Sequence, residues 1–223
     1  MRTVIIANGN APTSEDARRW LRPGDQLICA DGGARAAMAL GLTPHAVIGD
    51  FDSLSEDDLQ QLAGRGAALH RYPAHKDETD LELALTYAIA AMAGASEASG
   101  EPAEIVVLGA LGGRLDQTIA NVMLLAMPAL AGARVLIAAG GEQTFLITPD
   151  QPADLRGAPG DIVSLIPFGG DAHGVRTEGL EYPLRDEPLV FGPARGVSNV
   201  MLGHRASVTI REGRLLCVHA TAP

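Results

Sequence analysis

Short, near-continuous apolar runs at residues 3–7, 26–30, 46–48, 68–72, 104–108 and 133–138 punctuate the first part of the chain. Runs of this length without polar alternation fit strands covered on both faces. Between them, apolar residues recur at helical spacing over 14–21, 34–40, 55–62, 79–92 and 115–126. The alternation predicts an α/β unit: a mostly parallel sheet with flanking helices. The helix from Thr79 is the best marked. Leu81, Leu85, Ala88, Ile89 and Met92 share one face, and Thr79-Asp80-Leu81-Glu82 has capping-box spacing. Residues 93–102 are small, polar and Gly/Pro-bearing, and read as a surface loop.

Beyond Gly140-Gly141 the helical period disappears. Residues 143–147, 161–166, 206–211 and 214–218 read as strands, with a hairpin-type turn at Glu212-Gly213. Frequent Gly and Pro between them predict a small all-β sandwich or barrel. The chain therefore divides into an α/β domain, 1–140, and a β domain, 141–223.

Composition narrows the function. With 47% apolar and 20% charged residues, the 223-residue chain is an ordinary globular one, and its apolar runs fall short of a membrane span. A formal charge of −10, from 17 basic and 27 acidic residues, lacks the field that draws nucleic acid or an anionic membrane. The first residues turn polar too soon for a secretory signal, and a cytoplasmic protein is expected. Cys29 and Cys217 lie inside apolar runs and read as small core residues. Sixteen of the seventeen basic residues are Arg, and Lys76 is the single Lys. A compact ammonium at that position is not equivalent to a guanidinium.

Four segments carry candidate chemistry, each where a strand ends. Ligands of open α/β sheets bind outside the carboxyl ends of the strands. Asp31-Gly32-Gly33-Ala34 could bring backbone N–H groups to phosphate or be a plain tight turn, and Asn8-Gly9-Asn10 is a weaker version of it. Gly49-Asp50-Phe51-Asp52-Ser53 sets two carboxylates two residues apart, a hard-oxygen pair suited to Mg²⁺, or else a solvated turn with Ser53 capping the next helix. Lys76-Asp77-Glu78-Thr79-Asp80 carries more charge than helix capping needs. Asp77 and Asp80 could complete a metal site opened by Asp50 and Asp52, with Lys76 on a phosphate. Gly109 to Gln117, GALGGRLDQ, offers Arg114 as a phosphate fork. No Walker A or GxGxxG pattern is present. The set as a whole points to Mg²⁺-nucleotide chemistry, in which positioning and charge neutralisation dominate.

DGGA, GDFDS, KDETD, GALGGRLDQ and a late GVSNV, in this order, resemble the thiamine pyrophosphokinase family through nearly the whole chain. The resemblance implies transfer of a diphosphate group from ATP to thiamine, giving AMP and thiamine diphosphate, with Mg²⁺ and in a homodimer. It implies Asp50, Asp52, Asp77 and Asp80 as the metal and catalytic acids. It places Asn8, Gly32, Gly33, Lys76, Thr79 and Arg114 at the nucleotide, and Asp31, Gln117, Ser198 and Asn199 at thiamine. Val200 follows Ser-Asn where bacterial members often carry a polar residue. The aromatics of the second half are Phe145, Phe168, Tyr182 and Phe191. Apolar segments 206–210 and 215–218 could serve a dimer interface or the sandwich core. Two other readings compete: the same chemistry on another hydroxymethyl acceptor such as a pterin, or a non-catalytic nucleotide or thiamine sensor.

Overall fold

The structure, a computed structural model, describes residues 2–99 and 102–222 and divides into two compact units, Met1–Gly140 and Gly141–Pro223.

In the first unit, β1 (Arg2–Ile6), β2 (Gln26–Ala30), β3 (Ala46–Gly49), β4 (Ala68–Arg71), β5 (Glu104–Leu108) and β6 (Arg134–Ala139) lie side by side in the order β6-β5-β1-β2-β3-β4. Each neighbouring pair is parallel. Helices α1 (Ser14–Trp20), α2 (Gly33–Ala39), α3 (Glu56–Gly64), α4 (Asp80–Ser99) and α5 (Leu115–Met123) connect them. The central strands are apolar throughout because both faces are covered. On one face, Val4, Ile6, Cys29, Val47 and Val106 pack with Ala34 and Ala37 of α2 and Leu59 and Leu62 of α3. On the other, the Thr3 hydroxyl donates to Met92 Sδ of α4 across 3.3 Å. The chain runs outward from β1 to β4, then returns to β5 beside β1. That reversal opens a crevice at the carboxyl ends of β1 and β5, the usual ligand position of such sheets.

The helix starts follow their caps. Thr13 and Ser55 each form a reciprocal capping box, with Asp16 and Asp58. Ser55, not Ser53, therefore caps α3. The Thr79 hydroxyl accepts from Glu82 N at the start of α4. That helix runs to Ser99, overturning the loop expected over 93–102; its alanines sustain the helix although the apolar period has faded. Gly100 and Glu101 lie outside the described residues.

In the second unit, β7 (Glu142–Ile147), β9 (Ile162–Pro167), β12 (Asn199–Val200) and β14 (Leu215–Ala220) are ordered β12-β9-β14-β7. A second antiparallel sheet, β11-β10-β13-β8, comprises β8 (Ala153–Arg156), β10 (Ala172–Glu178), β11 (Arg185–Leu189) and β13 (Arg205–Thr209). Their inner faces share a core of Ile147, Leu155, Val163, Leu165, Val175, Val208 and Cys217, which makes the unit a sandwich. Burial drives the Cys217 thiol pKa up to about 12, so it stays a neutral packing residue.

One expectation is overturned. The Glu212-Gly213 turn does not close a hairpin, since β13 and β14 belong to different sheets. Glu212 instead pairs with His173 of β10, and a Cβ on Gly213 would lie 2.3 Å from Asp171 O. The turn is thus a corner held by β10. Of the two readings for segments 206–210 and 215–218, the core reading describes Ala206, Val208, Ile210, Leu215 and Cys217, which all pack in the sandwich core.

Candidate active site

The site is assembled at the carboxyl ends of β1, β2 and β3. After β2, Asp31 takes a left-handed backbone, φ 41°, and its side chain is buried. After β3, Gly49 has φ 156° and packs so tightly that a Cβ would fall 2.9 Å from Asp31 Cβ and 3.2 Å from Asp80 Oδ1. Phe51 is buried at φ 67°, a conformation bulky residues rarely adopt, worth about 1–3 kcal/mol of strain. The reversal at Phe51 turns Asp50 and Asp52 to the same side. Asp50 Oδ1 accepts from Asp52 N at 3.1 Å, and Asp52 Oδ1 accepts from the Ser53 hydroxyl at 3.1 Å.

One oxygen from each of Asp31, Asp50 and Asp52 lies within 4.8 Å of the others. Asp31 Oδ1 is buried without a hydrogen-bond partner. Three all-oxygen donors with one buried orphan match a hard divalent cation. Lys76 Nζ reaches in from the next loop, 2.9 Å from Asp80 Oδ1 and 3.9 Å from Asp50 Oδ2. Burial opposes charge on Lys76. The bond to Asp80 and the charges of Asp80, Asp50 and Asp31 outweigh it and hold its pKa above the ordinary lysine value. Burial is the main cause that pushes the Asp80 carboxyl up; the bond to Lys76 and its charge oppose this, the charges of Asp31 and Asp50 add to it, and the pKa stays above the ordinary value. One ammonium thus faces more negative charge than it neutralises.

Asn8 links the segments: its amide donates to the Ser53 hydroxyl at 3.3 Å, and a Cβ on Gly32 would strike it at 2.4 Å. A Cβ on Gly33 would lie 2.0 Å from Ile6 O. Gly33 is thus demanded by the β1 backbone, whereas a side chain at Gly32 would displace the Asn8 amide. Across the switch point, Gly9 N donates to Gly109 O at 2.7 Å and Asn10 N to Leu111 O at 2.9 Å. Beyond this glycine loop, Arg114 forks onto Asp116 on the exposed start of α5, raising its own pKa and lowering that of Asp116. Gln117 N also donates to Asp116.

Asp50, Asp52, Lys76 and Asp80 come together, with Asn8, Gly32 and Gly33 beside them. Asp31, assigned to thiamine on resemblance, stands within 4.8 Å of the carboxylate oxygens of Asp50 and Asp52. Asp77 is exposed and outside that triad. In the second unit, Ser198 has φ 63° and its N–H donates to the Ser164 hydroxyl. The Asn199 amide is buried and occupied: it donates to Tyr182 O and accepts from Tyr182 N and Val200 N. Phe191 lines an apolar cleft of about 310 Å³ with Leu165, Ile166, Pro167 and Val197. Sequence reasoning missed Arg71, whose guanidinium lies over the Phe51 ring.

A doubly wound parallel sheet carries, at the carboxyl ends of β2 and β3 beside its switch point, an acidic cluster with one lysine, a donor set of the kind that suits a divalent cation in an α/β protein. Comparison sharpens the class. A model described as "Thiamin pyrophosphokinase, catalytic domain" matches residues 18–137, and one described as "Thiamin pyrophosphokinase, vitamin B1 binding domain" matches 146–215. The chain belongs to the thiamine pyrophosphokinase family. It is similar to the thiamine pyrophosphokinase of Bacillus subtilis, 27% identical over 222 residues, 99% of this chain and all of the relative. It is also similar to thiamine pyrophosphokinase 1 of Oryza sativa subsp. japonica, 24% identical over 82% of this chain and 74% of the relative. The fold matches the crystal structure of the Bacillus subtilis protein at TM-score 0.84, 24% identity and full coverage of both chains. It matches thiamin pyrophosphokinase from Candida albicans at 0.78 and 17%, covering 99% and 90%.

Proposed function

We propose that the protein transfers a diphosphate group from ATP to thiamine, releasing AMP and thiamine diphosphate. The observation that carries the reading is the triad of Asp31, Asp50 and Asp52 beside Lys76, in a chain whose halves match the family's catalytic and vitamin B1 binding domains. The second match favours thiamine over a pterin acceptor. The acidic cluster favours catalysis over sensing, since a binding module gains little from carboxylates facing phosphate.

In this reading Asp31, Asp50 and Asp52 hold Mg²⁺, which would neutralise charge on the phosphates of ATP. Lys76 adds a compact positive charge toward the same phosphates, with Asp80 holding its ammonium in place. Asn8, Gly32 and Gly33 form the close-packed wall for the nucleotide, and Arg114 can exchange Asp116 for a phosphate. The thiamine hydroxyl oxygen attacks the β-phosphorus, the bond from that phosphorus to the α–β bridging oxygen breaks, and AMP leaves. Holding the two reactants in line supplies most of the acceleration. Ser198 and the Phe191 cleft offer polar and apolar surface to the acceptor, while Asn199 fixes the Tyr182 backbone beside them.

The protein acts in the cytoplasm as a homodimer, without nucleic-acid or membrane partners. Among the described residues no helix is long and apolar enough to cross a membrane. Leu115, Ile119 and Met123 form an exposed row along α5, apolar surface that a second copy would cover. Light scattering checks the dimer. The activity is tested by incubating the protein with ATP, Mg²⁺ and thiamine and identifying both products. AMP with thiamine diphosphate supports the reading; ADP with thiamine monophosphate sinks it.

A further inference from the structure

We propose that Arg71 is a positioning residue for the acidic site: it clamps the strained Asp50-Phe51-Asp52 turn and so sets the spacing of the carboxylates. The proposal rests on the metal-dependent reading above. Arg71 ends β4, where its backbone pairs with Gly49 of β3. The next residue continues the tie, Tyr72 N donating to Gly49 O at 2.8 Å. The Arg71 side chain then reaches over the turn. Its guanidinium carbon stands 4.9 Å from the centroid of the Phe51 ring, within cation–π range. Its Nη1 donates to Asp50 O across a long 3.4 Å. Two separate contacts therefore fall on the two residues that shape the turn.

The turn needs such support. Phe51 sits at φ 67°, and backbone in that region persists only where surroundings over-determine it. Asp50 and Asp52 carry like charges that push the turn open when no cation is bound. A planar guanidinium can cover an aromatic face and bond a carbonyl at once; an ammonium is a point charge and does one or the other.

The clamp and a simple nearby charge give opposite signs. Were Arg71 only a cation near the site, removing it would tighten metal binding. As a clamp, its removal loosens metal binding, because the carboxylates are no longer held at their spacing. The test is Mn²⁺ binding followed by electron paramagnetic resonance, without ATP or thiamine, on the full chain. Arg71→Leu is expected to weaken binding by about tenfold or more, as loss of groups that orient metal ligands commonly does. Arg71→Lys recovers only part of this. Phe51→Leu, which removes the ring but stays apolar, gives a similar loss, and adding Arg71→Leu to it costs little more. Thermal unfolding of each variant separates weaker metal binding from loss of fold. Equal or tighter Mn²⁺ binding by a folded Arg71→Leu protein overturns the proposal, as do fully additive effects. Failure of the wild-type protein to make AMP would overturn the functional reading and leave the clamp to be judged on Mn²⁺ binding alone.

Discussion

Lys76 Nζ and Asp80 Oδ1 lie 2.9 Å apart, joining the loop after β4 to the first residue of α4. The bond aims the chain's single lysine at the carboxylates of the neighbouring strand ends, and Asp50 Oδ2 is 3.9 Å from the same nitrogen. Replacing Lys76 with Arg keeps the charge but not the compact head that fits between Asp80 and Asp50. We expect Lys76→Arg to lower kcat/KM on the order of tenfold or more, measured with ATP as the varied substrate. Unchanged kinetics would leave Lys76 as a structural ion-pair partner of Asp80.

Neutralising one acid of the triad should separate stability from activity. Asp50→Asn and Asp52→Asn nearly keep shape while removing like-charge repulsion. Turnover is expected to fall roughly 10²–10³-fold. The thermal midpoint without metal should hold or rise, and the stabilisation given by added Mg²⁺ should shrink. Activity near wild type in either variant argues against the metal assignment.

Asp31 offers a sharper version of the same experiment. Its Oδ1 is buried with no hydrogen-bond partner, so Asp31→Asn places an amide where a cation fits. A Mg²⁺-dependent shift in midpoint should vanish in this variant. If Asp31 served thiamine alone, the metal shift would survive and only the KM for thiamine would rise.

The two kinds of glycine are expected to respond differently to alanine. Gly33→Ala drives a Cβ to 2.0 Å from Ile6 O, backbone of a central strand that cannot yield, and should cost about 3 kcal/mol by denaturant unfolding. Gly113 has open space around it but φ 71°. Its alanine variant should lose only about 1–2 kcal/mol, the left-handed penalty. Equal losses would show that packing beside β1 is softer than the geometry implies.

Acid stability should depend on Asp161 in the sandwich. Burial alone would raise its pKa, yet N–H groups of Ala158 and Ala222 and the His219 ring together hold it below the ordinary 3.8. A depressed folded-state pKa contributes stability that is fully present above 3.8 and is lost as pH falls through the folded value. Unfolding midpoints between pH 5 and pH 2 should therefore fall less steeply in Asp161→Asn than in the wild type. Parallel curves would assign the acid transition elsewhere.

Much of this molecule was legible from its chain alone, because the signals are local. Continuous Val, Ile and Leu runs mark strands covered on both faces, and 3.6-residue spacing marks the helices between them. Acids and glycines just past those runs reveal the site, since strand ends are where open sheets bind ligands. Tertiary structure alone decided which segments meet. Asp31 and Asp50 directly follow two adjacent parallel strands, and only the β2–β3 register brings Asp31 into the triad while leaving Asp77 outside. Arg71 gives no sequence signal, because its partner Phe51 is twenty residues away and the contact depends on a left-handed turn. The same limit applies in the sandwich, where β8, β10, β11 and β12 went unread. β11 carries Arg185, Asp186, Glu187 and Pro188 at a sheet edge, and β13 and β14, adjacent in the chain, separate into different sheets. Periodicity shows how a segment folds on itself; which strand it pairs with is decided by the burial and hydrogen bonding of the whole sheet.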